Sequence, residues 1–203
     1  MVLMVADDFR DFGAKILEPI ARVIPIGPMA LSAISLLSAI GAGYSFYLAD
    51  LENSHWLLIG ALMVFLNAVF DALDGMVARM REISSRRGDL VDHTLDRVAD
   101  IIILGGIALG PLVDITIGFA AIIGVLMLSY MGTQAQAVGA SREYAGLLGR
   151  ADRLIILIMV PIIQYFSEGY QEWNYMTLMC YAFAVICTLS AFYRFNRIWG
   201  ELK

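Results

Sequence analysis

Six long apolar runs, at 28–48, 55–78, 89–110, 113–137, 153–167 and 174–193, leave this chain little choice but to fold in a lipid bilayer. A helix that crosses the hydrocarbon core needs about 20 mostly apolar residues. The runs are rich in Leu, Ile, Ala, Met and Gly, do not alternate, and are too long for strands, which selects helices over a barrel. Only the fifth run is short. Composition agrees, because 60% of the 203 residues are hydrophobic and 16% are charged, well beyond the roughly 45–50% apolar content of soluble domains. The expected fold is an all-α integral membrane protein with six transmembrane helices.

Charge sets the orientation. The net charge is −5, yet the two signs separate by side. With a cytoplasmic N-terminus, all 14 Lys and Arg fall on the inner side: Arg10, Lys15, Arg22, Arg79, Arg81, Arg86, Arg87, Arg97, Arg142, Arg150, Arg153, Arg194, Arg197 and Lys203. The opposite loops hold Asp50, Glu52, Asp114, Glu168 and Glu172 and no Lys or Arg, which is the positive-inside pattern. Both termini are expected in the cytoplasm, in a multi-pass protein of the cell membrane. No nucleic-acid partner is expected.

Residues 7–24 read as an amphipathic interfacial helix, with Phe9, Phe12, Ile16, Ile20 and Val23 on one side. Pro19 bends it, and Pro25 and Pro28 close it before the first span. The first 27 residues lack a continuous apolar core, so no cleavable signal peptide is expected. One domain accounts for residues 1–203, with the bundle at 28–193 and a cytoplasmic tail at 194–203. Tyr44, Tyr47, Trp56, Tyr165, Tyr170, Trp173 and Trp199 fall at span ends, where amphipathic rings anchor to headgroups. Cys180 and Cys187 lie within the sixth span and read as buried packing.

Ionisable residues inside a span are costly and mark function. Here Asp71, Asp74, Gly75, Ala78 and Arg79 close the second span, followed by Gly88, Asp92 and Asp96 on the third. Helical geometry puts Asp71, Asp74, Gly75 and Ala78 on one stripe, and Gly88, Asp92 and Asp96 on another. Two neighbouring helices thus present four carboxylates to each other. Such a cluster needs counter-charge, and an all-oxygen donor set suits Mg²⁺ or Mn²⁺. Gly75 and Ala78 take bulk away, so that a base or a diphosphate can approach the backbone, and Arg79 is placed to hold phosphate oxygens. His93 is read as pointing to the membrane surface.

The spacing D-x2-D-G-x2-A-R-x8-G-x3-D-x3-D resembles the signature of the CDP-alcohol phosphotransferases, with every fixed position present. The resemblance implies transfer of a phosphatidyl or archaetidyl group from CDP-diacylglycerol or CDP-archaeol to a hydroxyl acceptor, with release of CMP. It also implies that Asp71, Asp74, Asp92 and Asp96 bind two divalent ions, that Asp96 is the general base, and that Gly75, Arg79 and Ser85 contact the CDP moiety. Asp71 and Asp74 would lie near the cytidine, with Ala78 and Gly88 completing the donor stripe. A homodimer is a family expectation. Gly105, Gly106 and Gly110 on the third span could serve such an interface or pack within the bundle.

Acceptor choice falls to the remaining inner-side polar residues, including Arg142, Arg150, Asp152, Arg153, Arg194 and Arg197. The segments around Arg153 and Arg194 resemble those that hold the acceptor phosphate in inositol-phosphate-using members, which favours an archaetidylinositol-phosphate or phosphatidylinositol-phosphate synthase. The fourth span departs from that pattern, with Gly132, Gln134 and Gln136 at positions expected to be charged. Glycerol phosphate, serine or inositol are alternative acceptors. In another class altogether, a cation transporter would also use intramembrane carboxylates, but it has no need of Gly75, Ala78 and Arg79 at fixed offsets.

Overall fold

The computed structural model describes residues 15–141, 146–167 and 174–202, and every regular element among them is helical. A short N-terminal helix, 15–23, precedes α1 (Pro28–Leu48), α2 (His55–Met80), α3 (Arg86–Leu109), α4 (Ile115–Ala137), α5 (Arg150–Phe166) and α6 (Tyr175–Glu201). Four of these, α1, α2, α4 and α6, are long and apolar enough to cross a membrane. The other two differ for separate reasons: α3 carries the charges of the motif on its first half, and α5 has 17 residues.

Local signals set the boundaries. Pro28 stands in the first turn of α1, where its missing N–H costs no hydrogen bond. The third helix starts earlier than the apolar run, because the Ser85 hydroxyl caps it by accepting from Gly88 N at 3.1 Å. Asp114 and Asn174 cap α4 and α6 in the same way. The Asp114 carboxyl, hydrogen-bonded by Thr116, is held below its usual range, as is Asp50 in the α1–α2 loop beside Asn53. The sixth helix does not stop at 193. It runs to Glu201 because Ala191, Arg194 and Ile198 recur at helical spacing and are buried. A π-helical segment, Phe183–Cys187, interrupts it.

Packing makes a ring. The helix α1 lies against α2 and α3, α3 against α4, α4 against α6, α6 against α5, and α5 against α2. The α1–α3 crossing is close enough that a Cβ on Gly106 would stand 2.0 Å from the Gly43 carbonyl oxygen, and one on Gly110 would meet the Phe46 carbonyl oxygen at 2.6 Å. Gly106 and Gly110 are therefore consumed inside the bundle, and only Gly105 opens on free space. Cys180 and Cys187 are buried in the main core, as expected.

Described residues 15–23 of the expected interfacial helix bury Ala21 against Leu31, Leu73 and Val77 and leave Ile16, Ile20 and Val23 exposed. Residues 7–14, Arg142, Glu168, Tyr170, Glu172, Trp173 and Lys203 lie outside the described residues.

Candidate active site

The two acidic stripes do meet, but not by direct packing of α2 on α3. Both helices lean on α1, and their carboxylates converge across the interior of the ring. Ligand oxygens of Asp71, Asp74 and Asp92 all lie within 4.8 Å of one another. Asp74 is buried and accepts a 2.5 Å hydrogen bond from Ser32 Oγ on α1, while Asp71 and Asp92 are half-buried. The three carboxylates line a small cavity together with Ser32, Asn67 and Arg150, among others. The three-carboxylate group suits a hard divalent cation, which takes oxygen donors from few side chains and keeps room for phosphate oxygens.

Asp96 stands one turn further along α3 and is buried. It belongs to a second group with Asp92 and His93, whose ligand atoms also lie within 4.8 Å of one another. His93, expected to point to the membrane surface, is partly exposed, but its Nδ1 sits 3.7 Å from Asp92 and it stands in this group.

The counter-charge has a source that sequence reasoning placed elsewhere. Arg150, grouped with the acceptor-side arginines, reaches across the ring and holds Asp71 through two contacts at 2.7 and 3.3 Å and Asp96 at 2.6 Å. Its position at the first turn of α5, three residues before Arg153, was the available signal. Ser32, which orients Asp74, had none beyond its place near the start of a span.

The remaining residues of the motif lie near the end of α2 and the start of α3. Gly75 and Ala78 are partly buried, and Arg79, Ser85 and Gly88 are exposed. A Cβ on Gly75 would come 3.2 Å from Arg79 Nη1, so the glycine leaves room for the guanidinium over the stripe. Ser85 is engaged as the α3 cap.

Arg153 and Arg194, expected to face an acceptor, are deep rather than at the surface. Arg153 is buried and donates to the Leu148 carbonyl at 3.1 Å and to Ser129 Oγ at 3.3 Å, with Asp100 at 3.5 Å. Arg194 is buried and donates to the carbonyl of the neighbouring Leu128 at 2.8 Å. The two arginines thus approach α4 at consecutive residues. Gln134, further along α4, is partly buried. The loop before α5 is fixed by Ser190 Oγ, which accepts from Leu147 N and donates to Leu147 O, both at 3.1 Å.

A bundle of this form, with clustered aspartates that could hold a metal and buried arginines opposite, defines a membrane-embedded enzyme that handles phosphates. The family model for CDP-alcohol phosphatidyltransferase matches residues 26–192, and the chain belongs to that family. It is 32% identical over 161 residues to archaetidylinositol phosphate synthase of Pyrococcus horikoshii, covering 76% of this chain and 82% of that protein. The corresponding synthase of Methanothermobacter thermautotrophicus is 29% identical over 97% of this chain and 95% of its own. The fold is shared with Mycobacterium tuberculosis phosphatidylinositol phosphate synthase solved with CDP-DAG bound, at a TM-score of 0.76 and 22% identity, covering 92% of this chain and 94% of that one. The same enzyme has been solved in complex with manganese and citrate, at a TM-score of 0.74 and 23% identity over 89% of this chain and 88% of that one. The family sets the transporter reading aside.

Proposed function

We propose that the chain transfers an archaetidyl or phosphatidyl group from its CDP-linked lipid to inositol phosphate, releasing CMP. The observation that carries the reading is the convergence of Asp71, Asp74 and Asp92 within 4.8 Å from two helices that meet only across the ring. That geometry makes sense for cation and diphosphate binding, and the relatives named archaetidylinositol phosphate synthase and phosphatidylinositol phosphate synthase support inositol phosphate as the acceptor.

In this reading Asp71, Asp74, Asp92 and Asp96 hold divalent ions, two Mg²⁺ or Mn²⁺, which supply charge neutralisation at the diphosphate. Asp71, Asp74, Gly75, Ala78, Arg79, Ser85 and Gly88 bind the CDP moiety at the inner mouth. Asp96 takes the proton of the acceptor hydroxyl, whose oxygen forms the new bond to the lipid-side phosphorus. The bond from that phosphorus to the bridging oxygen breaks, and the electron pair leaves with CMP. Arg153, Arg194 and Gln134 bind the acceptor. All six helices α1 to α6 span the cell membrane, with the N-terminal helix at the interface, both termini and the active site cytoplasmic, residues 1–203 forming one domain, and two copies forming a dimer.

Purified protein incubated with CDP-archaeol or CDP-diacylglycerol, Mg²⁺ or Mn²⁺, and inositol phosphate is expected to release CMP. Glycerol phosphate, serine and inositol should give little. CMP release with one of those three in preference to inositol phosphate would overturn the acceptor, and none with any of the four would overturn the reaction.

A further inference from the structure

The polar interior continues past the motif. Asp100, one turn beyond Asp96, is buried on α3 and faces two arginines: Arg97 Nη2 at 3.6 Å and Arg153 Nη2 at 3.5 Å. Arg97 Nη2 in turn lies 3.5 Å from Asp96, which pairs with Arg150, which pairs with Asp71. The charges therefore alternate without a break: Arg153, Asp100, Arg97, Asp96, Arg150, Asp71. Two of these links, Arg150 to Asp96 and Arg153 to Asp100, run from α5 to α3, which are not principal packing partners and stand on opposite sides of the ring.

We propose that Asp100 is a positioning residue for the acceptor site, holding Arg153 so that its remaining N–H groups face the acceptor phosphate, in the same chain of charges that fixes Asp96. The inference rests on the acceptor reading above and adds a residue outside the aspartate motif. Three features support it. An unpaired carboxylate inside a membrane bundle is costly, so a buried Asp in this setting has a partner that matters. Burial and the contacts to Leu148 O, Ser129 Oγ and Asp100 leave Arg153 little rotamer freedom, so losing the Asp100 charge, its one anionic support among the described residues, turns the fork. Neither contact of Asp100 Oδ2 is an aligned hydrogen bond, so the link is Coulombic and depends on the carboxylate charge.

The test uses the full chain in lipid nanodiscs, with initial rates measured against inositol phosphate at saturating CDP-lipid and then the reverse. Asp100→Asn is expected to raise the KM for inositol phosphate about tenfold while the KM for CDP-lipid stays within about twofold, because binding of one substrate alone is impaired. Asp100→Glu, which keeps the charge but shifts it, should raise the acceptor KM by about threefold. Arg153→Gln measured alongside separates the two readings. If Arg153→Gln raises the acceptor KM and neither Asp100 variant that folds does so, the positioning role is overturned. If Arg153→Gln leaves it unchanged, the acceptor reading fails, and the role of Asp100 with it. A parallel rise in both KM values would mark general loosening of the bundle and also overturn the proposal.

Discussion

The two halves of the polar interior are built differently. The half proposed to bind the donor, Asp71 to Asp96, comes from two helices consecutive in sequence and joined by a short turn, with its residues at helical spacing. The half proposed to bind the acceptor, Arg153, Arg194 and Ser129, is gathered from α4, α5 and α6 by contacts to the Leu128 and Leu148 carbonyls and Ser129 Oγ. Carboxylates in the first half need cations to coexist, and the arginines of the second need fixed acceptors to stay aimed. Arg150 joins the halves, because it starts α5 and ends on Asp71 and Asp96. In the proposed reading, the donor chemistry sits in the rigidly spaced half and the choice of acceptor in the half that is assembled at long range.

That contrast can be broken by substitution. The largest effect is expected for Asp96→Asn, which should cut turnover by about 10²- to 10⁴-fold, the range for a lost general base. CDP-lipid binding should survive it, measured by CDP-dependent thermal stabilisation. Turnover within a few-fold of wild type would remove Asp96 as base. Next, Arg150→Ala leaves two carboxylates without their shared partner and should cost roughly 2–3 kcal/mol of stability along with most activity. Denaturation in detergent checks the first, and an unchanged midpoint would show that the link between the halves is not structural. Gly106→Val drives side-chain atoms into the α1 backbone and should cost about 1–3 kcal/mol as overpacking, while altering the two KM values little in the fraction that remains folded. Smallest of all, Asp114→Ala removes the α4 cap at the opposite end of the bundle and should lower Tm slightly with no change in turnover. The Asp114 carboxyl is held below its unfolded value, so its contribution is present above that value and lost as pH falls through the folded one. The gap between Asp114→Ala and wild type should therefore close in acid.

Much of the donor half was legible beforehand, because Asp71, Asp74, Asp92 and Asp96 obey a helical period and charge inside an apolar run has few innocent explanations. Most helix limits follow the apolar runs, since apolar length and Pro28 act locally, but the last helix runs on to Glu201. What could not be read was the ring order. Periodicity puts two acidic stripes on α2 and α3 but does not say that α1 supports both, or that their carboxylates meet across an interior. For the same reason Arg150 was grouped with acceptor residues, and Asp100 went unremarked. Each is defined by a partner far away in the chain. Gly106 had two readings from sequence, and the 2.0 Å approach of its Cβ position to Gly43 O selects packing within the bundle for it.

Asp71, Asp74 and Asp92 are proposed to form one divalent-cation site across the ring, separable from the arginine half. Mn²⁺ binding followed by electron paramagnetic resonance on purified protein reads this site out without turnover. Saturable binding to the wild-type chain is expected, weakened at least about tenfold by Asp71→Asn, Asp74→Asn or Asp92→Asn, each of which removes a charged ligand, and kept by Arg153→Gln. Equal binding in all of these proteins would contradict it.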